Sequence, residues 1–110
     1  MFQKIRKNSE FLNVYRHGKS YANKYLVLYV LSNDLEENRF GITVSKKVGN
    51  SVIRHRITRL IRESIRLQDS NILRAYDIVI VARKAARGKK YQDIEDAFIH
   101  LCKRQNIIKR

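Results

Sequence analysis

Residues 46–62 concentrate cations with the side-chain types and spacing that suit phosphate binding. Arginine forks suit bidentate contacts with phosphate oxygens, and the Gly49-Asn50 turn adds free backbone N–H donors at a helix start. Arg54 and Arg56 lie in the first two turns of the predicted helix, where cations oppose the helix dipole at a cost of about 0.3–1 kcal/mol each. The candidate phosphate-binding residues are Lys46, Lys47, Asn50, Arg54, His55, Arg56, Arg59 and Arg62. The alternative is a solvated helix face that is rich in arginine.

Aromatic side chains beside basic residues form a second candidate site, because aromatic rings can stack on unpaired bases. Phe11 and Tyr15 lie four residues apart in a predicted helix and therefore share a face. Tyr25, with Tyr29, belongs to a predicted strand that would approach from the opposite side. Aromatic residues at helical and strand spacing are also typical of a core, so the residues alone leave both interpretations open.

The remaining polar residues do not indicate a self-contained catalytic site. Asp93, Glu95 and Asp96 fall on the outward side of a predicted amphipathic helix, which favours a solvated face over a two-metal nuclease centre. The histidines show no metal-ligand spacing. Cys102, the only cysteine, is expected in the core and excludes an intramolecular disulfide. We therefore predict no catalytic residues and no metal ligands in the chain.

The charge balance restricts the class of partner. The chain of 110 residues carries 24 Lys and Arg against 10 Asp and Glu, a formal charge of +14. Such an excess opposes compaction, and a phosphate backbone is the usual anion that neutralises it. An anionic membrane surface is the rival partner, but no separate basic amphipathic helix is present. Because the sequence contains no signal peptide and no apolar run of about 18 residues, we expect a soluble cytoplasmic protein with no membrane partner.

The first half of the chain predicts one helix and two strands. A helix is predicted over residues 8–17, closed by Gly18. Residues 20–31 alternate as a half-buried strand does. The polar segment 32–38 predicts a hairpin loop that leads to a second strand over 39–46. The two strands are therefore expected to form an antiparallel pair.

The second half predicts helix, strand and helix. A long helix starts at the Gly49-Asn50 turn and runs to about Gln68. Its apolar arc, at 100° per residue, is formed by Ile53, Ile57, Leu60, Ile61, Ser64 and Leu67. Residues 76–83 are nearly continuous in apolar character, which indicates a strand buried on both faces. The basic loop RKAARGKK, residues 83–90, leads to a last helix that spans roughly 91–103.

This order of elements predicts an α+β fold in a single domain over residues 1–110. We expect an α/β sandwich in which the helices pack on one mainly antiparallel sheet.

The stretch KKVGNSVIRHRITRLIRES, residues 46–64, resembles the signature of the bacterial ribonuclease P protein component. That family carries a lysine pair, a Gly-Asn turn and an Arg-Asn-Arg core followed by Ile, a basic residue, Arg-Leu and a further Arg. His55 stands where the family usually has asparagine, and Thr58 stands where it usually has lysine. The segments IRKNSEFLNVYRHG, SYANKYLVLYV, RFGITVSKKVG and YDIVIVARKAA also fit the family, so the resemblance covers nearly the whole chain.

The resemblance implies a fold, two partners and a cofactor. The fold would include a left-handed βαβ crossover like that of a domain of ribosomal protein S5. The arginine-rich helix would bind the catalytic ribonuclease P RNA. A cleft with Phe11, Tyr15 and Tyr25 would bind the single-stranded 5′ leader of precursor tRNA. The RNA subunit, with Mg²⁺ bound mainly by that RNA, would hydrolyse the phosphodiester that frees the mature 5′ end. The rivals are a plain RNA-binding module, such as a ribosomal protein, and a self-sufficient nuclease.

Overall fold

The computed structural model describes residues 2–109, which form three helices packed on one five-stranded sheet. The strands are β1 (Gln3–Lys4), β2 (Lys19–Ala22), β3 (Leu26–Ser32), β4 (Arg39–Thr43) and β5 (Tyr76–Ala82). The helices are α1 (Asn8–His17), α2 (Ser51–Gln68) and α3 (Tyr91–Arg104). Short 3-10 turns follow α2 at Asp69–Asn71 and β5 at Lys84–Ala86.

The sheet has the strand order β1-β4-β5-β3-β2. β4 pairs in parallel with β5 and with β1, whereas β5 with β3 and β3 with β2 are antiparallel. Because β4 and β5 are parallel neighbours joined through α2, they form a βαβ unit. The predicted α+β class, with helices packed on one sheet, is confirmed. The sheet itself is mixed, and its longest pairing, β3 with β5, is antiparallel.

The predicted antiparallel pair of the first two strands is wrong. β5 lies between β3 and β4 and pairs with both of them. The physical reason is burial: β5 is apolar on both sides, and a central position covers both sides at once. β4 also ends at Thr43, short of the predicted Lys46, because the chain turns where the Val48 N–H donates to the Ser45 carbonyl at 3.0 Å.

The single strand predicted over residues 20–31 is two strands, β2 and β3, joined by a tight turn. The Asn23 side-chain oxygen accepts hydrogen bonds from the Tyr25 N–H at 3.2 Å and the Leu26 N–H at 3.0 Å. An asparagine that bonds its own following backbone in this way replaces the extended conformation with a turn. The turn resets the alternation of side chains, so residues before and after it do not share the predicted face.

The larger hydrophobic cluster fills the space between the sheet and helices α2 and α3. Fully buried side chains include Leu28 on β3, Ile80 on β5, Ile57 on α2 and Phe98 on α3. The inward residues predicted for the last helix are all buried: Ile94, Ala97, Phe98, Leu101 and Cys102. The predicted arc of α2 needs correction at its end, because Leu67 is 45% exposed while Ile65 is buried.

The opposite face of the sheet carries a smaller cluster beneath α1. Its buried members are Ile5, Val14 and Val79. The partly buried side chains packed against them are Phe11, Tyr15, Tyr29, Leu31 and Val81. One ten-residue helix covers only part of this sheet face, which leaves aromatic side chains half-exposed at its margin.

Within residues 2–109, no helix has the length and apolar character needed to span a bilayer.

Candidate nucleic-acid interface

A groove runs between α1 and the end of β4. We call it the aromatic groove, a cavity of about 400 Å³ lined by Asn8, Phe11, Leu12, Tyr15 and Thr43. Phe11 and Tyr15 lie one helical turn apart on α1, as predicted, and their ring centroids are 6.4 Å apart. The Tyr15 hydroxyl is 3.0 Å from the Thr43 hydroxyl, which ties the helix to the edge of the groove.

Tyr29 completes this aromatic set from the sheet. Its ring centroid lies 4.9 Å from that of Tyr15, at an interplanar angle of 74°. Such an edge-to-face contact fixes the orientation of both rings. The three side chains are neither fully buried nor fully exposed. They therefore form the margin of the small cluster, with part of each side chain open to solvent.

The structure does not bring Tyr25 to this groove, which corrects the predicted grouping of Phe11, Tyr15 and Tyr25. Tyr25 lies in the turn between β2 and β3 and packs against the larger cluster. The ammonium groups of Lys24 and Lys89 lie 5.8 and 5.5 Å from its ring centroid. The error follows from the missed turn at Asn23, since uninterrupted alternation would have placed Tyr25 and Tyr29 on one face. The Asn-Lys pair between two apolar runs was the available signal.

Gly41 on β4 allows Phe11 to approach the sheet. A Cβ atom at position 41 would lie 2.5 Å from Phe11 Cε1 and 2.7 Å from its Cζ. Real Cβ atoms do not approach other atoms so closely, so the Phe11 ring occupies space that any side chain at position 41 would need. Sequence reasoning missed this role, because a glycine within a strand shows a close approach without identifying what approaches.

Arg39 holds the start of α1 against the sheet. Its guanidinium makes a bidentate contact with Asp77 on β5, with Nε–Oδ1 at 2.8 Å and Nη2–Oδ2 at 2.6 Å, and also donates to Glu10 on α1. The hydrogen bond from Arg39, followed by that from the Lys7 backbone N–H, lowers the pKa of Glu10 to about 2. Asp77, with Glu10 second among the partners, raises the pKa of Arg39. The Glu10 carboxylate is therefore held charged beside the arginine.

The second candidate surface lies on α2. Asn50 caps the helix by accepting a hydrogen bond from the Ile53 N–H at 3.0 Å, so the predicted helix start is confirmed. We call the hollow between α2 and the end of β4 the arginine depression, a volume of about 230 Å³. It is lined by Val44, Arg54, His55, Thr58, Arg59 and Arg62. Four of the eight predicted phosphate-binding residues thus meet at one place.

Arg54 is the innermost cation of the arginine depression. Its side chain is partly buried, and its Nε has no hydrogen-bond partner in the protein. The Thr58 hydroxyl donates to the Arg54 carbonyl at 2.9 Å, so it does not serve the guanidinium. A buried donor without an acceptor costs free energy, on the order of 1–3 kcal/mol. An external acceptor such as a phosphate oxygen would remove this cost.

The other predicted cations are exposed around the depression without lining it. Lys46 and Lys47 lie in the turn before α2, and Arg56 lies on the solvent side of the helix. The one acidic residue of α2, Glu63, pairs with Arg66. The cations that line the depression have no salt bridge within residues 2–109.

The acidic side chains do not form a metal site in the part of the chain that the structure describes. Among residues 2–109, no group of three or more His, Cys, Asp or Glu side chains could hold a metal ion. Burial raises the pKa of the Cys102 thiol to about 12, which keeps it protonated and inert as a nucleophile.

The fold and the two surfaces together define a small, strongly basic α+β protein with a cationic helix face and a separate aromatic groove. The family model described as Ribonuclease P matches residues 2–106. The chain belongs to the ribonuclease P protein component family, and is thus a protein subunit of a tRNA-processing ribonucleoprotein endonuclease.

Individual relatives agree along almost the full length of the chain. The ribonuclease P protein component of Lachnoclostridium phytofermentans is 57% identical over 108 residues, covering 98% of this chain and 93% of the relative. The Staphylococcus aureus RNase P protein superposes with a TM-score of 0.91 at 36% identity, covering 99% of this chain and 100% of that chain. The Thermotoga maritima RNase P protein superposes with a TM-score of 0.85 at 28% identity, covering 93% of this chain and 96% of that chain.

Proposed function

We propose that the arginine depression and the cations around it bind the ribonuclease P RNA. The observation that carries this proposal is Arg54, whose Nε is buried without a protein acceptor among further unpaired cations. Arg54, Arg59 and Arg62 supply planar donors that fit phosphate oxygens. His55, at the position where the family usually has asparagine, lines the same hollow and can donate to a phosphate or a 2′-hydroxyl. The exposed Lys46, Lys47 and Arg56 and the cap residue Asn50 extend this surface at the helix start.

The aromatic groove is proposed to bind the single-stranded 5′ leader of precursor tRNA. Phe11 and Tyr15 supply half-exposed rings at the mouth of the groove. Tyr29 replaces Tyr25 in this proposal, because its ring contacts that of Tyr15. Stacking of a base on an aromatic ring contributes roughly 1–3 kcal/mol and tolerates any sequence, as a leader of variable sequence requires.

The phosphodiester hydrolysis is proposed to take place in the RNA subunit. The side chains of residues 2–109 do not fit a protein-held Mg²⁺ site, because no acidic or histidine cluster of sufficient size is present. We therefore assign Mg²⁺ mainly to the RNA subunit. The protein's own part is to bind the catalytic RNA and the leader of the precursor tRNA. The working compartment is the bacterial cytoplasm, where precursor tRNA is made.

A cleavage assay with matched arginine variants tests the proposal. The protein alone should not cleave precursor tRNA, and it should enhance cleavage at low Mg²⁺ when a bacterial ribonuclease P RNA is added. Arg54→Ala with Arg59→Ala should weaken binding to that RNA, by about 10-fold or more for each real charge-assisted contact. The control, Arg66→Ala with Arg74→Ala, removes the same charge from exposed positions outside the depression.

Two results would contradict the proposal. Metal-dependent cleavage by purified protein free of RNA would place the chemistry in the chain. Equal losses of RNA affinity for the two double variants, both with native circular dichroism, would reduce the arginine depression to a solvated face.

A further inference from the structure

The basic loop RKAARGKK lies outside both proposed surfaces, and so does Tyr25. We call residues 83–90 the β5–α3 loop. It carries five cations and no acid: Arg83, Lys84, Arg87, Lys89 and Lys90. A sixth cation, Lys24, approaches from the turn between β2 and β3. Within residues 2–109, the salt bridges involve only Arg39 and Arg66 among the cations, so none of these six is paired.

The β5–α3 loop is anchored to the fold. Ala86 is fully buried in the larger cluster. The Arg83 N–H donates to the Tyr25 carbonyl at 2.9 Å, and its guanidinium donates to the Asn23 carbonyl at 2.8 Å. Gly88 has a φ of 76°, a left-handed conformation that side chains rarely adopt, and it turns the chain in open space. The loop thus presents its cations from a defined position.

Two of these cations lie against the same aromatic ring and have no salt-bridge partner within residues 2–109. The ammonium groups of Lys24 and Lys89 both lie within 6 Å of the Tyr25 ring centroid, at 5.8 and 5.5 Å. The ring attracts each of them, but the two like charges repel each other. A bound phosphate backbone would reduce this repulsion by neutralising the positive charge. Because the ring is already occupied by ammonium groups, the surface suits a phosphate better than a stacked base.

Sheet register places this surface beside the arginine depression. Thr43 at the end of β4 is opposite Val81 on β5, and Ala82 at the end of β5 is opposite Leu26 at the start of β3. The segment before α2, the β5–α3 loop and the β2–β3 turn therefore all leave the same end of the sheet. Neighbouring strands are about 4.8 Å apart, so the β5–α3 loop emerges next to the segment that carries Lys46 and Lys47.

We infer that the β5–α3 loop and Lys24 form a second phosphate-binding surface for the backbone of the same RNA subunit that the arginine depression binds. This inference rests on the proposed function of α2. The RNA subunit is chosen over the precursor leader because the cations adjoin the start of α2 and present ammonium groups in place of open rings. Tyr25, predicted from the sequence to contact the leader, would instead position two lysines for the RNA subunit.

Two triple variants with equal charge change test the inference on the full chain. The loop variant is Lys24→Ala, Lys84→Ala and Arg87→Ala, all exposed. The control is Arg74→Ala, Lys103→Ala and Lys109→Ala, also exposed. The control residues lie at the opposite end of the sheet, where Leu73, Lys103 and Lys109 line one cavity just before the start of β5. Binding to ribonuclease P RNA is measured over a series of salt concentrations.

The loop variant should bind the RNA subunit about 10- to 100-fold more weakly, at roughly two- to fivefold per exposed phosphate contact. The salt slope of its binding should fall by about 2–3, since each lost phosphate contact removes about 1. The affinity of the control for the RNA should fall by less than about threefold, because only non-specific charge is removed. The charge-retaining variant, Lys24→Arg, Lys84→Arg and Arg87→Lys, should bind nearly as the wild type does.

Four outcomes would overturn the inference. Equal losses for the loop variant and the control would show that only net charge matters. A loss confined to precursor tRNA bound by the assembled holoenzyme would assign the loop to the substrate. If Arg54→Ala with Arg59→Ala loses RNA affinity while the loop variant does not, only this inference fails and the proposed function stands. If the wild type binds ribonuclease P RNA no better than an unrelated RNA of equal length, both fail.

Discussion

Gly41→Ala should damage leader binding through the Phe11 ring. The new Cβ would lie 2.5 Å from Phe11 Cε1, and ordinary contact begins near 3.5 Å, so the ring must move by about 1 Å. The ring cannot move toward the sheet, because the new Cβ stands on β4 directly beneath it. It must therefore move into the aromatic groove. Losing about 1–1.8 kcal/mol of the stacking contribution would weaken precursor tRNA binding by about 5- to 20-fold.

The assay compares precursor and mature tRNA on holoenzyme assembled with the variant protein. Only precursor tRNA should lose affinity, because mature tRNA has no leader. Overpacking should also lower the free energy of unfolding by about 1–3 kcal/mol, so a control of comparable stability loss is needed. Ile80→Val is a suitable control, because Ile80 lies on the opposite face of the sheet. This substitution should lower the free energy of unfolding by about 0.5–1.5 kcal/mol. Equal losses for both tRNA forms, or a precursor affinity that matches Ile80→Val, would refute the reasoning.

Two further predictions concern the groove and its support. Tyr29→Ala should weaken precursor tRNA binding by about 5- to 150-fold, whereas Tyr25→Ala should leave it within about threefold; the reverse order would restore the sequence-based assignment. Glu10→Gln should lower the free energy of unfolding near pH 7. Because the folded-state pKa of Glu10, about 2, lies below its ordinary value of 4.5, this contribution is present above pH 4.5 and is lost as the pH falls toward 2. Denaturation at several pH values should show the gap from wild type closing over that window, while Glu36→Gln, exposed in a loop, shows no gap.

The α2 surface could be predicted from the sequence because one helix contains most of it. A helix fixes the relative positions of its residues, so the spacing of Arg54, His55, Arg59 and Arg62 is sufficient to place them on neighbouring turns. Arg54 was also singled out because its charge opposes the helix dipole, and its Nε atom is buried without a hydrogen-bond partner. What the sequence could not supply was the other wall of the depression, Val44, because it comes from the end of β4.

The groove could be predicted only in part because its members come from three elements that meet through the sheet. Phe11 and Tyr15 share a helix, so their spacing in the sequence was sufficient to predict that they lie on one face. The sheet face on which the Tyr29 side chain lies depends on where β3 begins. The turn stabilised by the side-chain hydrogen bonds of Asn23 sets that starting point. The contact between Gly41 and Phe11 depends on the strand order, which places β4 under α1. The apolar run at residues 76–83 predicts a central strand, but which strands flank it is a property of the assembled sheet that no local pattern contains.

The end of β4 lies between the two proposed binding surfaces. Thr43 lines the aromatic groove, and Val44, the next residue, lines the arginine depression. Consecutive residues of an extended chain point to opposite sides, so the two surfaces lie back to back at one strand end. A phosphate bound at the depression and a base bound in the groove would then be separated by little more than the thickness of the sheet. Because Arg39 on the same strand fixes α1 through Glu10, the rigid sheet sets the position of the groove relative to the depression. On the proposed function, the protein would therefore hold a leader at a fixed place on the catalytic RNA without contributing a reacting group.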